Sequence, residues 1–175
     1  MNRGYHEIKE HGKREFPFNI YPCSIPVDFS HVALHWHEEM EIIAVKKGKG
    51  RITVDTVSYP VEEGDILAVF PGQLHAISCG NGERMEYENI IFRLSMLMGD
   101  NGDGCTVHFL KPLQEGQAKN PVLIQRNQPD HEVFGKVIQE LDRFSEIRGN
   151  GYQLAVKGHI FLFLYYAYGR GILFT

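Results

Sequence analysis

The chain has 175 residues, 43% hydrophobic and 23% charged, which are the proportions of a folded domain able to bury its own core without disulfides or a structural metal. Eighteen Lys and Arg against 22 Asp and Glu leave a net charge of −4, which argues against a surface built to clamp nucleic acid. The three cysteines form no Cys-x-x-Cys pair, the N-terminus is too polar for a signal peptide, and the longest apolar run, Ile160 to Tyr168, is nine residues where a membrane span needs roughly 20; a soluble protein of the cytoplasm is expected.

Residues 1–30 read as an arm. Pro17, Pro22 and Pro26 each impose extended geometry on the residue before them, and Phe16, Phe18 and Tyr21 need apolar surface to lie against. Residues 31–111 read as short strands: Val32 to His37, Glu41 to Val45, Arg51 to Val54, Val57 to Val61, Ile66 to Phe70, His75 to Ser78, Tyr87 to Leu94 and Thr106 to Leu110. Glycine-rich turns separate them, among them Gly48, Gly64 and Gly72, and this spacing predicts an antiparallel sandwich or barrel.

After a linker over 112–129, the period changes. Asp130 suits a helix N-cap, and Val133, Phe134, Val137, Ile138, Leu141 and Phe144 fall on one helical face. Gly149 to Gly151 stops that helix, and a second one, from Tyr152 to about Tyr168, is apolar on nearly every side. Such a helix must be covered all round, either by a partner or by being sunk between the sheet and the first helix.

The chemistry concentrates in His35-Trp36-His37-Glu38-Glu39-Met40-Glu41. On a strand, His35 and His37 point one way and Trp36 the other, and Glu41 joins them whether the chain stays extended or turns at Glu38 to Met40. Two imidazoles and a carboxylate suit Zn, Fe, Mn or Ni, and His75, re-entering after the Pro71-Gly72 turn, can return to the same pocket.

These residues resemble a family. His35, His37, Glu41 and Gly48 match the first cupin motif, and Gly64 through Pro71 to His75 looks like the second, with Cys79 where many metal-binding cupins carry asparagine. The resemblance implies a cupin-type β-barrel, a double-stranded β-helix or jelly roll, preceded by an N-terminal arm and followed by two antiparallel helices. That arrangement is similar to the regulatory half of AraC/XylS-type transcriptional regulators.

The resemblance implies a non-enzymatic sensor that binds a small-molecule effector, a sugar being one case, and that dimerises through its helices (residues 130–175). DNA is then read only by a helix-turn-helix domain downstream. The expected effector-binding residues are His35, His37, Glu41 and His75, with Phe16, Phe18 and Tyr21 closing over them from the arm. The expected dimer contacts are Val137, Leu141 and Phe144. No cofactor is required for that task, although the four polar residues make a divalent metal (Zn, Ni, Mn or Fe) a second use of the same site. A stand-alone metal-dependent cupin enzyme, a dioxygenase or sugar isomerase, is the alternative. The other histidines, His11 and His31 among them, read as surface or structural, and Trp36 reads as an outer-face residue.

Overall fold

Eight strands and three helices are built from these runs in a computed structural model that describes residues 3–100 and 102–172. The strands are β1 (Phe18–Ile25), β2 (Val32–His35), β3 (Met40–Val54), β4 (Val57–Glu62), β5 (Ile66–Val69), β6 (His75–Ser78), β7 (Met85–Phe92) and β8 (Val122–Ile124). The helices are α1 (Lys111–Gln114), α2 (His131–Ile147) and α3 (Tyr152–Gly169).

All strand pairings are antiparallel, and the fifteen-residue β3 belongs to both halves of the barrel. Its first half lies between β7 and β5 in a sheet of order β1-β7-β3-β5-β8. Its second half pairs with β4 and β6, and β6 pairs with β2. Side chains alternate along β3, which explains why nearly every residue of its first half is buried. Ile43 and Val45 point into the barrel with Leu67, Val69 and Tyr87, whereas Met40, Ile42 and Ala44 point out to a second core beneath the helices.

That second core answers where the helices go. Phe134, Val137, Ile138 and Leu141 of α2 pack with Val156, Ile160, Phe163 and Ala167 of α3 against the outer face of the sheet. The all-apolar helix α3 is therefore sunk on one side only, and Leu154, Phe161, Leu162 and Tyr165 remain exposed. Val137 and Leu141, expected at a subunit contact, are 4% and 0% exposed within their own chain, because the apolar stripe of α2 is used up on the barrel. Phe144 is half-buried against the same core and stacks near His159.

Three sequence-based assignments change. Phe18–Ile25, expected in the arm, is a strand paired with β7 along its whole length; Pro22 is tolerated because β1 lies at the sheet edge. Thr106–Leu110, expected as a strand, is helical and runs into α1. Asp103 accepts hydrogen bonds from the Thr106 backbone N–H (2.8 Å) and hydroxyl (2.6 Å), and the buried Thr106 and Leu110 are spaced as on a helix. The linker contains β8, which pairs with β5.

Candidate functional site

Strand register brings the four polar residues together. His35, the last residue of β2, is the cross-strand partner of His75, the first residue of β6, and their ring centroids are 4.2 Å apart. The chain bends at Glu38 and Glu39, with the His37 carbonyl fastened by the Gly72 N–H at 2.9 Å. Since β3 starts at Met40, Glu41 shares the inward parity of Ile43 and Val45. One ligand atom from each of His35, His37, Glu41 and His75 lies within 4.8 Å of the others, and all but His35 are buried.

Backbone carbonyls decide what the imidazoles offer. A carbonyl oxygen can only accept, so Nδ1–H of His35 donates to Ala33 (2.8 Å), that of His37 to Glu39 (3.0 Å) and that of His75 to Gln73 (3.0 Å). In the neutral rings each Nε2 is then a bare lone pair turned toward the cluster. Glu41 Oε2 stands 3.0 Å from His37 Nε2 and 3.2 Å from His75 Nε2. Lone pairs at that distance require a positive charge between them, either a proton or a cation. Burial alone would raise the Glu41 carboxyl, but the hydrogen bonds from His37 and His75 outweigh it and hold the group well below the usual carboxylate range. Burial alone would lower His37, yet Glu41 wins there too and the net shift is upward. His35 is pushed down by burial and by His75. Three oriented nitrogens and one carboxylate fit a divalent cation, and the carbonyl partners are the outer-shell contacts that such a site uses. Glu39 adds to that support, since its buried carboxylate is anchored by Arg93 Nε at 2.8 Å.

A cavity of about 450 Å³ opens beside the cluster, lined by His35, Glu41, Asn89, Tyr21 and His31 together with Glu7, Lys9 and His11 of the N-terminal segment. That segment is tied down along Trp36: the Glu7 N–H donates to the Trp36 carbonyl, the Trp36 N–H donates to the Tyr5 carbonyl, and His6 stacks on the indole at 4.2 Å. Trp36 thus faces away from the histidines, as its parity predicts.

Of the three aromatic residues expected to close over the site, only Tyr21 borders it. Phe16 and Phe18 lie in the core under the helices, because Phe18 and Ile20 have the outward parity of β1 while Tyr21 and Cys23 have the inward one. His11, read from the sequence as surface or structural, is 5% exposed and lines the cavity, with its Nδ1 3.1 Å from the Tyr21 hydroxyl. Glu7 and Asn89 also went unnoticed. No local spacing marks them, since only the fold brings them to the histidines. Cys79 turns away: its thiol lies near the Lys49 carbonyl, outside this cavity, and burial pushes its pKa up.

The profile described as the AraC-like ligand binding domain matches residues 26–164. An uncharacterized HTH-type transcriptional regulator of Bacillus subtilis, YdeC, is 27% identical over 88 residues, covering 50% of this chain and 30% of that protein. The chain thus matches less than a third of that relative's length. Among solved structures, a cupin 2 conserved barrel domain protein from Salinispora arenicola matches with a TM-score of 0.41 and 22% identity, over 46% of this chain and 66% of that one. An RmlC-like cupin family protein with a double-stranded β-helix fold from Methanocaldococcus jannaschii matches with a TM-score of 0.41 and 18% identity, over 47% and 74%. No helix among the described residues is long and apolar enough to cross a membrane. Because the family profile spans most of its length, the chain belongs to the AraC-like ligand binding domains.

Proposed function

We propose that this chain is the effector-sensing and dimerisation part of a transcriptional regulator, and that it binds a small hydroxylated molecule, of which a sugar is one case, in the cavity beside His35 and Glu41. The observation that carries the reading is the convergence of three histidines and one carboxylate beside a cavity that His35 and Glu41 line together with Glu7, Lys9 and His11 of the N-terminal segment. Asn89 and His11 line the cavity, and their Oδ1 and Nε2 atoms are buried without hydrogen-bond partners, so the wall holds unmet polar capacity beside the ligand space.

Of the two readings the sequence leaves open, no cofactor required or a divalent metal at these residues, the donor set supports the cation, held by His35, His37, Glu41 and His75. Bound there, it would supply a Lewis-acid anchor for an effector oxygen. Lys9, Tyr21 and Asn89 would then orient the rest of the molecule. Dimerisation is assigned to the exposed apolar face of α3, with Phe161, Leu162 and Tyr165, in place of Val137 and Leu141. DNA contact is assigned to a helix-turn-helix part outside this chain.

Calorimetric titration of a sugar and sugar-acid panel into metal-loaded protein tests the proposal. Saturable binding that disappears in Glu41→Gln is expected; a panel bound equally by both proteins would overturn the placement. The same four donors favour one second reading, a metal-dependent cupin enzyme, and substrate-dependent oxygen uptake or sugar isomerisation by the metal-loaded chain would select it.

A further inference from the structure

The cluster is open on the side where the N-terminal segment passes, and one carboxylate of that segment is directed at it. Because His6 pairs with Trp36 in a parallel bridge and stacks on its ring, Glu7 takes the opposite face, the one shared by His35 and His37. Its Oε2 lies 3.7 Å from His35 Nε2 and 3.9 Å from His11 Nε2. Both separations are too long for hydrogen bonds, yet atoms bound to one cation at about 2.1 Å lie roughly 3–4 Å apart. Glu7 therefore stands at the His35 edge of the cluster, at ligand-to-ligand distance from one of its members.

His11 supplies an independent observation. It is 5% exposed, and its Nε2 has no hydrogen-bond partner. In the tautomer in which the Tyr21 hydroxyl donates to Nδ1, Nε2 carries the proton, 3.9 Å from the Glu7 carboxylate. A short inward movement of Glu7 would leave one oxygen accepting from His11 while the carboxylate faces the cluster.

We propose that Glu7 is a fifth donor to the cation held by His35, His37, Glu41 and His75, and that His11 is its positioning residue. The inference rests on the metal reading given above. Its consequence is that occupancy of the site is reported by the N-terminal segment, since Glu7 closes onto the ion and holds residues 7–11 against the barrel mouth.

Co(II) titration followed by its visible absorption, together with trypsin cleavage after the exposed Lys9, tests this on the full chain. Wild-type protein should bind one Co(II), and binding should slow cleavage after Lys9. Glu7→Gln should still bind one Co(II), about 10-fold or more weakly, with a visible band altered by the loss of one donor and with no protection of Lys9. His11→Ala should weaken binding by a smaller factor, and His11→Gln, which can accept from Tyr21 and donate to Glu7, should restore it. If wild type binds one Co(II) but Glu7→Gln keeps its affinity, its band or the protection of Lys9, the role of Glu7 is overturned while the four-residue site stands. If wild type binds no stoichiometric Co(II), the site and the fifth donor fall together.

Discussion

Glu41→Gln tests the centre of the site with little change of shape. Glu41 is 2% exposed and is the one negative charge among the four clustered residues. With free Ni(II) at about 100 times the wild-type Kd, binding should stabilise the fold by about 2.7 kcal/mol. For a chain of 175 residues that raises Tm by roughly 5–10 °C, at about 2–4 °C per kcal/mol. Loss of an outer-shell partner already weakens metal sites by 10–100-fold, so loss of the charged donor itself should reach about 100-fold. At the same Ni(II) concentration the variant is then near half-saturation, worth about 0.4 kcal/mol and a shift of about 1 °C. The metal-free fold should survive, because the new amide can donate to a bare Nε2 of His37 or His75 where the carboxylate needed a proton. Thermal melts of both proteins with Ni(II) and with chelator measure all four values. Equal Ni(II) shifts in wild type and variant would refute the reasoning.

Protons and metal compete for His37. Its raised pKa means that the contribution of its proton to metal-free stability is complete below the ordinary histidine value near 6.5 and is lost as pH climbs through the raised one. His35, shifted down by burial and His75, acts in the opposite sense: its stabilising contribution is complete above the ordinary value near 6.5 and is lost as pH falls through its lowered one. Metal affinity should therefore rise as pH climbs from the ordinary histidine value through the raised one of His37, with proton release visible as buffer-dependent binding enthalpy; a flat profile would argue against His37 as a ligand. Leu141→Ala should cost about 2–5 kcal/mol in chemical denaturation, as for a core residue. Tyr165→Glu, at a position 71% exposed, should change stability by less than about 0.5 kcal/mol and reduce self-association in sedimentation. The opposite pattern would return the subunit contact to α2. Gly48→Ala should destabilise the barrel by about 1–3 kcal/mol from its backbone angle alone (φ +78°), with more from a Cβ placed 2.1 Å from the Arg84 carbonyl. An unchanged denaturation midpoint would contradict the turn geometry.

The four clustered residues were legible in the sequence because strand parity is local: His35 and His37 share a face wherever the strand goes, and either route to Glu41 ends beside them. The short β-rich runs and the amphipathic α2 were legible for the same reason. What escaped was whatever depends on long-range pairing. Nothing in Val122–Ile124 reveals that β5 waits for it, and nothing between Phe18 and Ile25 tells an arm from an edge strand once Pro22 is present. Thr106–Leu110 carries β-branched and aromatic residues that favour a strand, and the cap from Asp103 overrides them. Period marks an apolar stripe on α2 but does not tell what covers it, and Val137 and Leu141, which fit a subunit contact by spacing alone, are already buried within their own chain. Glu7 and His11 reach the site through a pairing with Trp36 some 30 positions away, which no spacing rule anticipates.

The sharing of β3 between two environments has a mechanical side. Glu41 looks into the barrel, while its neighbours Met40 and Ile42, both 0% exposed, look out into the packing beneath α2 and α3. The partition between barrel interior and helical layer is thus one peptide thick at this point. Side chains packed this tightly pass a displacement on. A backbone shift of a few tenths of an ångström at Glu41 would move Met40 and Ile42 within the same core that Phe163 and Ile160 share.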